Sequence, residues 1–324
     1  MKVLSAGWGD VPDDVRFDIA VNTSRILSRL QCGEKHGYAY EDGRVPNIPD
    51  QQALQLGSIW HVGLERLAYH EPVSAIIADY EGERWVEDKY GKTQQEWFER
   101  ALEAYAEYYQ GDWPGGSILA TEVPFWLVYH VPNTRLGRDE MSANVLVRGR
   151  LDRVTNWHGL AANGEIKTTA AGTKMDVFMG LRSAHPQDAL YYLALRHAPR
   201  VLPNGATLPE QVFGSRYDIA QKYAVPKGRK KDRSDRPAAL EAWKAKLFHE
   251  DGVDWTDARA ERVAGKAISD YLGLAGIRHR NFGACNMYTQ CPYFSVCHEG
   301  ESLDSANFKD RDADYVDEAC KAGL

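Results

Sequence analysis

Gly149-Arg150-Leu151-Asp152-Arg153-Val154, a polar turn, and then Gly164-Glu165-Ile166-Lys167-Thr168-Thr169 make up the stretch around which the chain is organised. Both flanks alternate apolar and polar positions, and Asn156-Trp157-His158-Gly159 between them supplies turn chemistry, so two antiparallel strands are predicted. Side chains repeat with period two along a strand, which puts Glu165 and Lys167 on one face and Ile166 on the other. Asp152 needs only a suitable register to face the same spot. Two carboxylates and an ammonium at one end of a hairpin suit a hard divalent cation, with the lysine left to handle charge on a water or a phosphate. The plain alternative is an exposed hairpin whose charges are solvated.

The remaining sequence sets the context for that hairpin. A chain of 324 residues, 44% hydrophobic and 26% charged, has the profile of a globular protein. No apolar run approaches the ~20 residues of a membrane helix, and Met1-Lys-Val-Leu-Ser-Ala-Gly-Trp8 lacks the apolar core of a signal peptide, so a cytoplasmic protein is expected. The formal charge of −7 does not exclude phosphate binding, which needs only a local positive strip. Lys227, Arg229, Lys230, Lys231, Arg233 and Arg236 form such a strip between Pro226 and Pro237, read as a surface loop that tracks phosphates or as a solvated loop.

Taken in order, residues 14–31 carry helical spacing, with Thr23 or Ser24 as caps, and Asp50–His70 carries it again at Ala53, Leu56, Trp60, Leu64 and Leu67. His61 and Glu65 are one turn apart on that second helix. A capping box, Thr93-Gln-Gln-Glu96, opens a third helix with an aromatic stripe (Trp97, Tyr105, Tyr108, Tyr109) of the kind that fills a core. Ile118–Tyr129 reads as a strand containing Glu122, and Gln211–Ala220 as another. Between them Pro186 suits the first turn of a helix that places Gln187 and Tyr191 on one face. Helices are predicted over Arg236–His249 and Thr256–Leu274. Ala264-Gly265-Lys266-Ala267 lacks the remaining glycine and the hydroxyl of a phosphate loop, so no nucleotide cofactor and no ATPase motor are expected.

Five cysteines in a reducing compartment argue against a disulfide framework and for metal ligands or buried thiols. Cys285, Cys291 and Cys297 recur at intervals of six, which matches no ordinary zinc-finger spacing. Four thiolates suit either zinc or a [4Fe–4S] cluster. Cys320, in an acidic tail, is the odd one out.

Asp152 followed by Glu165-Ile166-Lys167 resembles the PD-(D/E)xK nucleases, and the wider set resembles their RecB-like, iron–sulfur branch, related to the CRISPR-associated RecB-like exonucleases. In that branch a Gly-x-x-x-His-x-x-x-Glu helix, here Gly57 to Glu65, precedes the metal hairpin, and a Gln-x-x-x-Tyr helix, here Gln187 to Tyr191, follows it. The segment Asn22–Cys32 resembles the N-terminal cysteine segment, except that Gly33 stands where a proline usually follows. The C-terminal trio departs from the usual Cys-x2-Cys-x5-Cys in its first interval, at Cys285.

The resemblance implies one domain over 1–324. It has a helical N-terminal part (1–115) with Cys32 and His61, a restriction-endonuclease-like core (116–220) with a mixed central sheet flanked by helices, a region of basic loop, helices and cysteines (221–300), and an acidic tail (301–324). It implies Mg2+ or Mn2+ held by His61, Asp152, Glu165 and the Ile166 carbonyl, catalysis with Lys167 supported by Gln187 and Tyr191, and Glu122 as a supporting carboxylate. It also implies a [4Fe–4S] cluster on Cys32, Cys285, Cys291 and Cys297 that joins the two helical ends. The implied activity is exonucleolytic cleavage of DNA, single-stranded by preference, in recombination, repair or phage DNA processing, with recombination or CRISPR-type protein partners. A non-catalytic DNA-binding or partner-docking protein on the same fold, and a zinc-stapled binding module, are the competing readings.

Overall fold

The computed structural model describes residues 2–46, 52–80, 94–109, 117–136, 139–223, 225, 236–244, 246–274, 293, 296–297, 302–305 and 308–310. The strands are β1 (Lys2–Trp8), β2 (Ile19–Asn22), β3 (Arg44–Pro46), β4 (Ser117–Leu136), β5 (Asp139–Trp157), β6 (Leu160–Ala170), β7 (Val212–Lys222), β8 (Phe248–Asp254) and β9 (Phe308–Asp310). The helices are α1 (Thr23–Gln31), α2 (Gly33–His36), which runs into a π-helical turn over Gly37–Glu41, α3 (Gln52–Ala68), α4 (Val73–Asp79), α5 (Gln94–Tyr109), α6 (Met175–Arg182), α7 (Pro186–His197), α8 (Arg236–Lys244) and α9 (Asp257–Gly273).

Among the described residues, seven strands form one mixed sheet in the order β1-β4-β5-β6-β7-β8, with β2 alongside β5. Pairing is antiparallel except for β2 with β5 and β6 with β7. The parallel β6–β7 pair requires a crossover, and α6 and α7 supply it. Helices cover both faces. Tyr217 and Ile219 of β7 enter the apolar cluster shared with α7 and α9, whereas Ala220 and Ile166 enter that of α3 and α5. In the second cluster Trp60 meets Tyr105 edge-on at 5.7 Å and stacks on Phe248 at 6.4 Å, geometries worth about 0.5–1.5 kcal/mol each beyond burial. That packing fixes the helix carrying His61. Of the aromatic stripe on α5, Trp97, Tyr105 and Tyr109 are core as expected, and Tyr108 is exposed.

A smaller sheet pairs β3 with β9, and there Tyr38 and Tyr293 pack together while the Tyr293 hydroxyl donates to the Arg44 carbonyl at 2.9 Å. Segments from near the two ends of the sequence therefore meet.

Several expectations need correction. The helical signal over 14–31 is two elements, because Ile19–Asn22 pairs with β5 and only then does α1 begin, capped by the Asn22 side chain accepting from the Arg25 amide at 2.7 Å, not by Thr23 or Ser24. The stretch read as a helix to His249 stops at Lys244, and Phe248–Asp254 forms the edge strand β8. The part read as helical through residue 115 also contributes β1 and β2 to the sheet. The helix read over Thr256–Leu274 forms as α9, and Thr256 is its N-cap, accepting from the Arg259 amide. Residues Lys227 to Arg233, Cys285, Cys291 and Cys320 lie outside the described residues, as does the side chain of Arg236. No helix among the described residues is long and apolar enough to cross a membrane.

Candidate active site

The hairpin forms as its turn chemistry predicts. His158 (φ 49°) and Gly159 (φ 84°) take the left-handed conformations that a two-residue hairpin loop requires, and the Asn156 side chain accepts from the Gly159 amide at 2.9 Å. The two strands remain paired only from Val154 with Asn163 to Trp157 with Leu160. Beyond that β6 stays with β7, while β5 takes β2 as its partner at Val145–Arg148. Residues 149–153 of β5 thus face a window in the sheet, bounded by β2 and α1 on one side and β6 on the other.

Asp152 sits in this window. Its Oδ2 accepts from the Ile166 amide at 3.1 Å, where a ladder bond would otherwise run. The N–H and C=O of a strand residue leave the same edge, so the Ile166 carbonyl faces the window too. From α3, His61 places Nδ1 3.6 Å from the same Asp152 oxygen, and its ring hydrogen-bonds to the Ile166 backbone. Glu122 on β4 lies opposite Asp152, between the pairs Thr121–Arg153 and Val123–Leu151. Its φ of 49° is a conformation that costs a non-glycine residue about 1–3 kcal/mol and that clusters at functional sites. Ligand atoms of His61, Glu122 and Asp152 all lie within 4.8 Å of one another. One imidazole nitrogen and two carboxylates, with a backbone carbonyl beside them, form a donor set that fits Mg2+ or Mn2+.

Electrostatics match that use. Burial, reinforced by the Lys167 cation, lowers His61 to about 4, leaving a neutral imidazole able to coordinate. Burial and the nearby Glu165 charge push Asp152 up to about 7. A carboxyl whose folded pKa is raised stabilises the fold fully below its unfolded value, and that stabilisation is lost as pH rises through 7. A bound divalent cation offsets the loss. Mn2+ is therefore expected to raise the melting temperature more at pH 8 than at pH 5.5, as read by differential scanning fluorimetry, and an equal shift at both would remove Asp152 from the cation site.

Glu165 faces the α6–α7 side of the sheet. Its fully buried carboxylate is ion-paired with Lys167, lies 3.8 Å from Arg182 Nη2, and accepts from the Asn163 amide group at 3.2 Å. Burial pushes its pKa up, but Lys167, Arg182 and Asn163 outweigh it and hold the group below the ordinary carboxylate range. So the structure joins His61 and Asp152 to Glu122, and keeps Glu165 with the cations behind them. Gln187 donates to the Tyr191 hydroxyl at 2.7 Å, and the Tyr191 ring meets Phe125 edge-on at 5.6 Å.

Two groups of residues escaped the sequence reading. Arg182, at the end of α6, donates from Nε to the Tyr217 hydroxyl at 2.9 Å and lies 3.6 Å from Asp188, a carboxyl with no exposure that burial pushes up to about 7. The second group centres on Arg153, beside Asp152 in sequence and 2% exposed. Its guanidinium reaches Asp218 of β7 and the Leu64 carbonyl of α3, each at 3.4 Å, and the Tyr105 hydroxyl of α5 at 3.3 Å. It thereby ties the strand of Asp152 to the helix of His61. The only local signal for Arg182 was the helical spacing of Met175, Met179 and Arg182; for Arg153 there was none.

The sequence profile of the PD-(D/E)XK nuclease superfamily matches the chain over residues 20–298, a span that contains all of the side chains grouped at the window. No curated protein matches it. A profile match over most of the chain, on a mixed sheet that carries Asp152, Glu165 and Lys167 at a split between two strands, means that the chain belongs to the PD-(D/E)XK nuclease superfamily.

Proposed function

We propose that the protein is a Mg2+- or Mn2+-dependent DNA exonuclease of the RecB-like kind, acting on single-stranded ends during recombination, repair or phage DNA processing. The observation that carries this reading is the grouping of His61, Glu122 and Asp152 beside the Lys167–Glu165 ion pair. When bound, a divalent cation lowers the pKa of a coordinated water and stabilises charge on the scissile phosphate. His61, Asp152, Glu122 and the Ile166 carbonyl would hold it, with Glu165, ion-paired to Lys167, as the further carboxylate of the set. Lys167 orients the attacking water and offsets charge building on the phosphate, for which a compact ammonium is suited. Arg182 keeps Glu165 ionised throughout, and the Gln187–Tyr191 pair positions the substrate against β5.

Cleavage of end-labelled single- and double-stranded DNA by anaerobically prepared protein tests the activity. Stepwise shortening with Mn2+ or Mg2+, faster on single strands and absent in chelator, is the expected outcome. No cleavage under any cation, with binding retained, would move the protein to the non-catalytic DNA-binding reading.

The [4Fe–4S] cluster on Cys32, Cys285, Cys291 and Cys297 belongs to the same proposal. What supports it is that Cys32 ends α1, six residues before Tyr38, and that the Tyr38 hydroxyl lies 3.7 Å from Cys297 Sγ where the two end segments meet. About four iron and four labile sulfide per chain support it; stoichiometric zinc without iron refutes it.

A further inference from the structure

The window does not end at the cation group. A cleft of about 680 Å3 continues from Asp152 and Glu122, and its lining includes Arg148, Arg150, Tyr191 and the first residues of α1, Thr23 and Ser24. Arg148, Arg150 and Asp152 alternate along β5, so they rise from one face of the strand about 6.7 Å apart. Neighbouring phosphates of an extended nucleic-acid strand repeat on a similar length. Glu122 covers one edge of Arg150 at 2.7 Å, yet that side chain remains 68% exposed, and a guanidinium has five N–H donors to share. A volume of this size admits roughly one or two nucleotides. It is too small for a duplex.

We infer that this cleft is a phosphate-binding track for a single DNA strand, in which Arg150 and then Arg148 hold the phosphates next to the one at the cation group, with the Thr23 and Ser24 hydroxyls as further donors. The inference rests on the proposed nuclease reading for the position of the scissile phosphate. It gives that reading a substrate form, one strand lying along β5, and assigns the contacts to residues outside the basic 227–236 segment. Arginine suits the task because its planar fork meets two phosphate oxygens at once.

Anisotropy of a fluorescein-labelled single-stranded oligodeoxynucleotide, titrated with the intact chain in chelator over a salt series, tests it. Each lost phosphate contact on a single strand makes the slope of log K against log salt shallower by about 0.7. Arg148→Gln is expected to show that change, and Arg148→Gln with Arg150→Gln about 1.4. Arg148→Lys, which keeps a charge, and Arg100→Gln, outside the cleft, are expected to hold the parental slope. Melting curves confirm that the variants fold. A parental slope in the double variant overturns the inference, and an equal fall in slope for a blunt duplex overturns its single-strand form. With no cation present cleavage plays no part. A chain that binds through these arginines and cuts nothing would sink the nuclease reading alone, and one that cuts but keeps its slope would sink this one alone.

Discussion

Lys167→Ala is expected to lower the rate of cation-dependent DNA cleavage by about a hundred- to a thousand-fold, the usual cost of removing one preorganised charge from a transition state. The fold is expected to survive. Glu165, the buried partner of Lys167, keeps Arg182 Nη2 at 3.8 Å and the Asn163 amide at 3.2 Å, so its charge is not left alone in the interior. Lys167 itself is 30% exposed and leaves space that water can fill. Circular dichroism and the Mn2+-induced rise in melting temperature should match the parent, since the ammonium is not a ligand. Single-turnover cleavage at saturating protein isolates the chemical step, and a parental rate there would take Lys167 out of the site.

Arg153→Met should instead strike stability, by about 3–5 kcal/mol in chemical denaturation, because removing one member of a buried ionic group strands the other. Asp218 is 5% exposed and would retain only Tyr105 as a close partner in this network. Burial already pushes its carboxyl up to about 6, against the pull of Arg153 and Tyr105, so without the guanidinium it is expected to take up a proton at neutral pH. Replacing both partners with apolar residues of similar volume, Arg153→Met with Asp218→Leu, should recover much of the loss. Recovery of the melting temperature without recovery of Mn2+ affinity would show that the link from Arg153 to the Leu64 carbonyl also positions His61.

Local chemistry explains what could be read in the sequence. The turn at His158-Gly159, the placing of Glu165 and Lys167 on one strand face, the α3 and α5 apolar faces and the Gln187–Tyr191 pair all depend on residues a few positions apart. Short strands were harder. Ile19–Asn22 has only four residues and runs straight into a helix, and Phe248–Asp254 buries only Phe248 and Val253, so neither carries enough alternation to stand out. Partners across the sheet were beyond reach. Nothing near Glu122 in sequence shows that it sits opposite Asp152, because that depends on the register of β4 against β5. Arg153 carries no local mark of burial, and its partners Tyr105, Asp218 and the Leu64 carbonyl come from distant elements.

The split between β5 and β6 has a mechanical meaning. At one end of the gap the strands are clamped by the hairpin turn, and at the other β5 is clamped to β2, while across the middle a side-chain carboxylate, that of Asp152, stands in for the ladder. Such a gap is a seam without ladder bonds: the spacing of β5 and β6 at Asp152 is set by one side-chain hydrogen bond and not by the pairs on either side, so a change at Asp152 is expected to act on the seam before it acts on the rest of the sheet.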